Sequence, residues 1–216
     1  MQIQKWAKKF IQEQDAKEIA EKVTFIERQT SGEVVPMIVR RSSSLGHVPF
    51  VIFFFLCAFF FYMIHIFSLE WMGSIETPYL VVVGGALIFT YGLSQWTWIQ
   101  RILVTRSDQI DQTWLRAQVE FYGLGINRTN GSTGVLLFVS LMERRALILA
   151  DEEINKKVDP GYWQEILDDL ILKMKVAKTK EGFLEALDRV GAVLAEHFPI
   201  EANDVNELKN RLIIKD

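Results

Sequence analysis

The spacing of apolar positions changes several times along the 216-residue chain, and each change predicts a different element. Ile19, Val23 and Ile26 recur at i, i+4, i+7, with Ala16 and Phe25 beside them, which predicts an amphipathic helix. Gly32 is placed to end that helix in a left-handed turn. Val34, Val35, Met37, Ile38 and Val39 then form a nearly unbroken apolar run, predicting a strand over Glu33 to Arg40 that is covered on both faces. Pro36 has no N–H to give, so the strand should be irregular or at an edge near that point.

Phe50 to Leu69 and Tyr79 to Ile99 carry no formal charge. About 20 apolar residues span a bilayer core. A buried core helix would explain one such run. Two in tandem, joined by "EWMGSIETP", predict a transmembrane helical hairpin with spans at about 50–69 and 79–99. Arg40 and Arg41 precede the first run, Arg101 and Arg106 follow the second, and the connector has two Glu and no Lys or Arg. The positive-inside rule then places both termini in the cytoplasm of a multi-pass protein of the bacterial inner (plasma) membrane. Trp71 and Tyr79 would bracket the outer loop, and Trp96 and Trp98 would mark the inner interface.

Beyond residue 100, Ile110, Trp114, Ala117 and Phe121 repeat at helical spacing, and Gly123 and Gly125 end the pattern. "INRTNGSTG" reads as a flexible connector. Gly134 to Ser140 and Arg145 to Ala150 are β-branched and aliphatic runs separated only by "LMER". So short a link permits only an antiparallel hairpin. Trp163, Ile166, Leu167, Leu170, Ile171 and Met174 form one helical stripe, and Phe183, Leu187, Val190 and Leu194 another, which Pro199 stops. The tail is polar and then apolar at Leu208, Leu212, Ile213 and Ile214.

A helical hairpin returns the chain to the side it left. The halves can therefore complete one domain, with helix 107–121 as the crossover between two parallel strands, 33–40 and 134–140. The expected class is α/β: a small mixed-sheet α/β/α sandwich interrupted by a two-helix transmembrane hairpin. Its expected parts are residues 1–47 and 101–200 for the cytoplasmic domain, 48–100 for the hairpin and 201–216 for a tail.

Charge and cysteine content narrow the partners. Net charge is −3 with basic and acidic residues nearly balanced, so nucleic acid is not expected. The single cysteine, Cys57, excludes an intramolecular disulfide or a Cys-rich zinc site. Asp151 and Glu153 stand at the end of the second hairpin strand. With Asp159, Asp108 or Asp111 they could hold Ca²⁺ or Mg²⁺ through oxygen ligands; a solvated acidic turn is the alternative. There is no Cys-x5-Arg loop and no D-x-D-x-[TV] strand end, and Ser140 has no His near it in sequence. "YGLGINRTNG" follows a helix and precedes a strand, the reverse of a phosphate loop.

The run "TGVLLFVSLMERRALILADEEI", the Trp163 helix and the "HFP…NEL" ending resemble the TPM-domain family. More narrowly they resemble its bacterial membrane-anchored branch, in which a transmembrane hairpin splits the domain. The resemblance covers about Ala16 to Arg41 and Ser107 to Leu212. It implies a small α/β sandwich with a mixed sheet. Some members resemble metal-binding acid phosphatases, and others look like assembly or repair factors for membrane complexes. Soluble members carry a "G.GLE" segment where this chain has "ADEEI". The expected function is an integral membrane protein whose TPM-like domain is an interaction, regulatory or assembly module. Its expected partners are the lipid bilayer and a membrane protein, and the only candidate cofactors are Ca²⁺ or Mg²⁺. A divalent-metal-dependent phosphatase using Ca²⁺ or Mg²⁺ is one alternative, and a small oligomeric transport protein another.

Overall fold

The computed structural model describes residues 3–43, 48–67, 76–94, 96, 104–200 and 206–216. The chain forms two compact units, one of Met1–Ser42 with Asp111–Asp216 and the other of Ser43–Ile110.

The first unit is built on β1 (Glu33–Val39) and β2 (Gly134–Ser140), in which every residue is buried. They pair in parallel from Glu33↔Gly134 to Val39↔Ser140. β3 (Arg145–Ala150) returns antiparallel to β2, as the four-residue link required. A fourth strand, β4 (Ile213–Lys215), pairs in parallel with Met37–Val39, so the sheet order is β3-β2-β1-β4. β4 ends its pairing at Met37, so Pro36 has a strand partner only on the β2 side. That is the local edge its missing N–H called for.

Strand alternation divides the core in two. Val34, Ile38, Val135, Leu137 and Val139 point to one face. There they meet Ile19, Val23 and Ile26 of α1 (Glu13–Glu27) and the stripes of two later helices, named below as α6 and α7. Val35, Met37, Val39, Leu136 and Phe138 point to the other face, against Ala117 and Phe121 of α4 (Arg106–Gly123). A short α5 (Glu152–Lys157) follows β3, then α6 (Pro160–Lys175) and α7 (Thr179–His197). The predicted stripes of α6 and α7 are the ones buried. Phe25, by contrast, is exposed, with the Lys22 ammonium 5.5 Å from its ring centre.

Two glycines matter for packing. Gly32 does not adopt a left-handed conformation, contrary to expectation; a Cβ there would lie 3.1 Å from Leu194, so close approach of α7 is its role. A Cβ on Gly134 would fall 2.2 Å from the Ile126 carbonyl oxygen, which fixes glycine at the start of β2.

The second unit contains α2 (Val48–Phe67) and α3 (Glu76–Ser94), packed against each other. Among the described residues no helix is long and apolar enough to cross a membrane. This corrects the expected transmembrane hairpin, the multi-pass inner-membrane placement and the integral membrane function. An uncharged run alone does not make a bilayer-spanning helix; the described helices in these runs are Val48–Phe67 and Glu76–Ser94. Three glycines, two threonines and a proline further dilute the apolar surface of α3. The residues assigned to orient a membrane protein have other settings. Arg40 pairs with Asp216, Arg41 and Trp96 are exposed, and Arg106 is exposed at the start of α4. Trp71, Trp98 and Arg101 lie outside the described residues, as does the Tyr79 side chain.

Candidate functional site

In open α/β sheets, functional groups gather at the carboxyl ends of parallel strands. At that end of β1 and β2 the fully buried Ser140 hydroxyl donates to the Glu143 carboxylate. The Ser42 hydroxyl donates to Ser140 Oγ at 2.9 Å, and the Ser42 N–H donates to Glu143. Leu141 and Met142 donate N–H bonds to the carbonyls of Val39 and Arg40, at 3.1 and 3.0 Å. The β2–β3 turn thus folds over the end of β1 and closes it. Ser140 sits in a structural clamp rather than in an open crevice.

Four of the five acids proposed as metal ligands have a local task. Asp151 caps α5 by accepting the Glu152 N–H at 2.8 Å, and Asp159 caps α6 by accepting the Gly161 N–H at 2.6 Å. Glu153 pairs with Lys156 at 2.7 Å, and that bond holds its pKa below the usual carboxylate range. Asp108, in the second unit, accepts the Thr105 hydroxyl at 2.7 Å at the start of α4, and Asp111 is exposed on the same helix. Among the described residues no group of three or more His, Cys, Asp or Glu side chains is placed to hold a metal ion. These carboxylates are spent on helix starts and an ion pair, so the residues do not fit a Ca²⁺ or Mg²⁺ cage.

The sequence reading missed the buried carboxylates Glu27, Glu33, Glu120 and Glu143. A charged residue next to an apolar run, as at Glu33, was the available signal.

α4 carries the exposed feature of the first unit. Thr113, Ala117, Glu120 and Phe121 are buried. Arg116 pairs with Glu120 at 3.0 Å and donates to the Asp216 carbonyl at 3.2 Å, and Lys215 also reaches Glu120. The Arg116 flank of α4 therefore faces β4. Each helical residue turns about 100°, so Trp114, two residues earlier, lies about 200° away on the flank toward β3. Leu115, Val119 and Tyr122 point outward. Trp114, Leu115, Val119 and Tyr122 are 45, 56, 60 and 59% exposed.

This corrects the expected stripe: Ala117 and Phe121 turn inward, while Trp114, and Ile110 in the second unit, do not. The buried Glu120, held by Lys215 and Arg116, sets the rotation. Four strands about 4.8 Å apart make a sheet wider than one helix of about 10 Å. α4 therefore leaves the β3 side of this face thinly covered, and Leu147 and Leu149 of β3 are only partly buried there. Trp114, Leu115, Val119 and Tyr122 of α4 are thus exposed, and Leu147 and Leu149 of β3 are partly buried.

Comparison with known proteins places the domain. Residues 99–193 match the family model of the TPM domain. The chain is similar in fold to the NMR structure of the BA42 protein from the psychrophilic bacterium Bizionia argentinensis, with a TM-score of 0.59 and 18% identity over 95% of each chain. At that identity the likeness is one of fold alone. Among curated proteins none matches the chain. The resemblance read from the sequence agrees with this match over residues 99–193 and with the mixed α/β fold; its membrane-anchored branch is not shown.

Proposed function

We propose that the first unit is a protein-interaction domain that receives one amphipathic helix of a partner protein on the exposed apolar face of α4. The observation that carries this reading is the exposure of Trp114, Leu115, Val119 and Tyr122 on one helix beside the half-covered strand. Helix-in-groove recognition uses apolar anchors at i, i+3, i+4 and i+7. The exposed side chains from Trp114 to Tyr122 extend over about two turns of α4. A second helix lying there would complete the layer that the other face of the sheet already has. Trp and Tyr are also the side chains that dominate binding energy once desolvated. The resemblance to assembly factors of the TPM family points the same way.

A photo-cross-linking amino acid at Val119 in the full chain, expressed in cells, tests the reading. Leu172 on α6, which is also exposed, serves as the control position. The expected result is a discrete adduct with another protein from position 119, none from 172, and loss of the adduct when Trp114→Asp is added. No adduct, or one that Trp114→Asp leaves unchanged, refutes the proposal. An adduct of twice the chain mass would replace the partner protein with a second copy.

A further inference from the structure

β3 ends the sheet and pairs only with β2. The ladder between them decides which of its backbone groups are left over. One position beyond the Val135↔Ala150 pair, Asp151 faces Gly134, and its N–H donates to the Gly134 carbonyl at 2.9 Å. In an antiparallel pair such hydrogen-bonded positions alternate with open ones. Arg145, Leu147 and Leu149 therefore turn their N–H and C=O groups toward β2, and Ala146, Ile148 and Ala150 turn theirs outward. The Asn155 side chain agrees with this, since its Nδ2 donates to the outward Ala150 carbonyl at 2.6 Å. Among the described residues no backbone group outside β2 pairs with Ala146 or Ile148. Leu147 to Ala150 are partly exposed, and Ala146 is buried. An open strand edge is a template for another strand, and proteins commonly blunt one with lysine, proline or a bulge. β3 has no lysine or proline between Arg145 and Asp151, and its register with β2 is unbroken.

The sequence of this edge is complementary to itself. In "RRALILADE" (Arg144 to Glu152), Ala-Leu-Ile-Leu-Ala reads the same in both directions, with two arginines before it and two acids after it. Two copies laid antiparallel with Ile148 opposite Ile148 set Leu147 against Leu149, Ala146 against Ala150 and Arg145 against Asp151, each twice. The outward backbone groups match in the same register: Ile148 meets the N–H and C=O of its mate, and Ala146 meets those of Ala150. Opposed residues share a face, so the leucine pairs cover one another on the α4 side of the sheet, and an Arg145–Asp151 pair closes each end. Charge also fixes the register. A slide of two residues, the next one that keeps outward groups facing, sets Arg145 against Leu149 or Asp151 against Leu147.

We infer that β3 is a self-pairing edge: two copies of this chain join through their β3 strands, antiparallel and centred on Ile148, into one continuous sheet. The inference rests on the sheet edge and not on the exposed side chains of α4.

Sedimentation velocity of the full chain over a range of concentrations reads the pairing, and the wild-type chain is expected to form a dimer. Arg145→Glu sets two carboxylates against each other at both ends of the interface, and Asp151→Arg sets two guanidinium groups there. Each should weaken the dimer by about tenfold or more, because like charges directly opposite repel. An equal mixture of the two variants restores opposite charges at both ends, and should dimerise as strongly as wild type. Asp151→Arg also removes the α5 cap. If it does not fold, Ile148→Pro takes its place: it deletes one outward N–H and no bond to β2, and should abolish the dimer. A wild-type chain that stays monomeric would overturn the inference. So would a dimer that survives Arg145→Glu or Ile148→Pro, or two folded charge variants that fail to pair on mixing.

Discussion

The Glu143 carboxylate accepts the backbone N–H of Ser42 at 3.1 and 3.2 Å, across 101 residues of sequence. The same carboxylate takes the Ser140 hydroxyl. One side chain thus ties the exit of β1 to the end of β2 and to the hairpin turn. Glu143→Ala would leave a backbone N–H and a fully buried hydroxyl without this acceptor. The expected loss is about 2–4 kcal/mol. Glu143→Gln keeps one acceptor oxygen and should lose about half of that. Urea unfolding of the full chain measures both, and equal losses would argue against the clamp.

Gly134→Ala places a methyl group 2.2 Å from the Ile126 carbonyl oxygen, a backbone atom that cannot swing aside. Overpacking of this kind costs about 1–3 kcal/mol, and here the higher end is expected. Gly123→Ala meets nothing within 4 Å. At the end of α4 it should be neutral or stabilise by about 0.5 kcal/mol. Thermal melts of the two variants should therefore shift in opposite directions or differ by several degrees.

The two tryptophans Trp114 and Trp163 separate binding from stability. Trp163 is 7% exposed in the core of α6, and Trp163→Ala should cost about 3–5 kcal/mol. Its ring N–H is buried without an acceptor, so Trp163→Phe should cost much less than the loss of ring area suggests. Trp114→Asp should leave the urea midpoint nearly unchanged while abolishing the Val119 cross-link. A large loss of stability in Trp114→Asp would place that ring in the core and remove it from the proposed binding face.

Glu33 gives global stability a definite pH sign. Its folded pKa lies above the ordinary carboxylate value because the group is buried. The stabilisation linked to its proton is complete below the unfolded value of about 4.3. It is lost as pH rises through the folded value. Glu33→Gln should flatten that slope and raise the urea midpoint relative to wild type at about pH 8. A wild-type midpoint that climbs over the same range, with Glu33→Gln tracking it, would contradict the sign.

Most of the first unit was legible locally. The period of Ile19, Val23 and Ile26, the stripes of α6 and α7, and the "LMER" link each fix an element within a few neighbouring positions, because side chains 3.6 or 2 residues apart share a face. The parallel pairing of β1 with β2 followed from those elements and the length of the crossover. The candidate site was less legible. Asp151 drew notice as an acid at a strand end and Asp159 as a further carboxylate, yet acids before a helix are also its natural caps, and that is how both are used.

What only the tertiary structure decided rests on partners far apart in sequence. Ile213–Lys215 is a strand because β1 offers it hydrogen bonds; three residues carry no periodicity that would announce it. α4 turns Trp114 outward because Glu120 is drawn inward by Arg116 and by Lys215, which lies 95 residues on. The uncharged runs 50–69 and 79–99 showed where charge is absent, but absence of charge alone did not decide whether a helix there is long and apolar enough to cross a membrane. Local pattern therefore determined which elements form and which way most of them face. Long-range pairing determined how the strands join, which acids are buried, and which apolar side chains of α4 stay exposed.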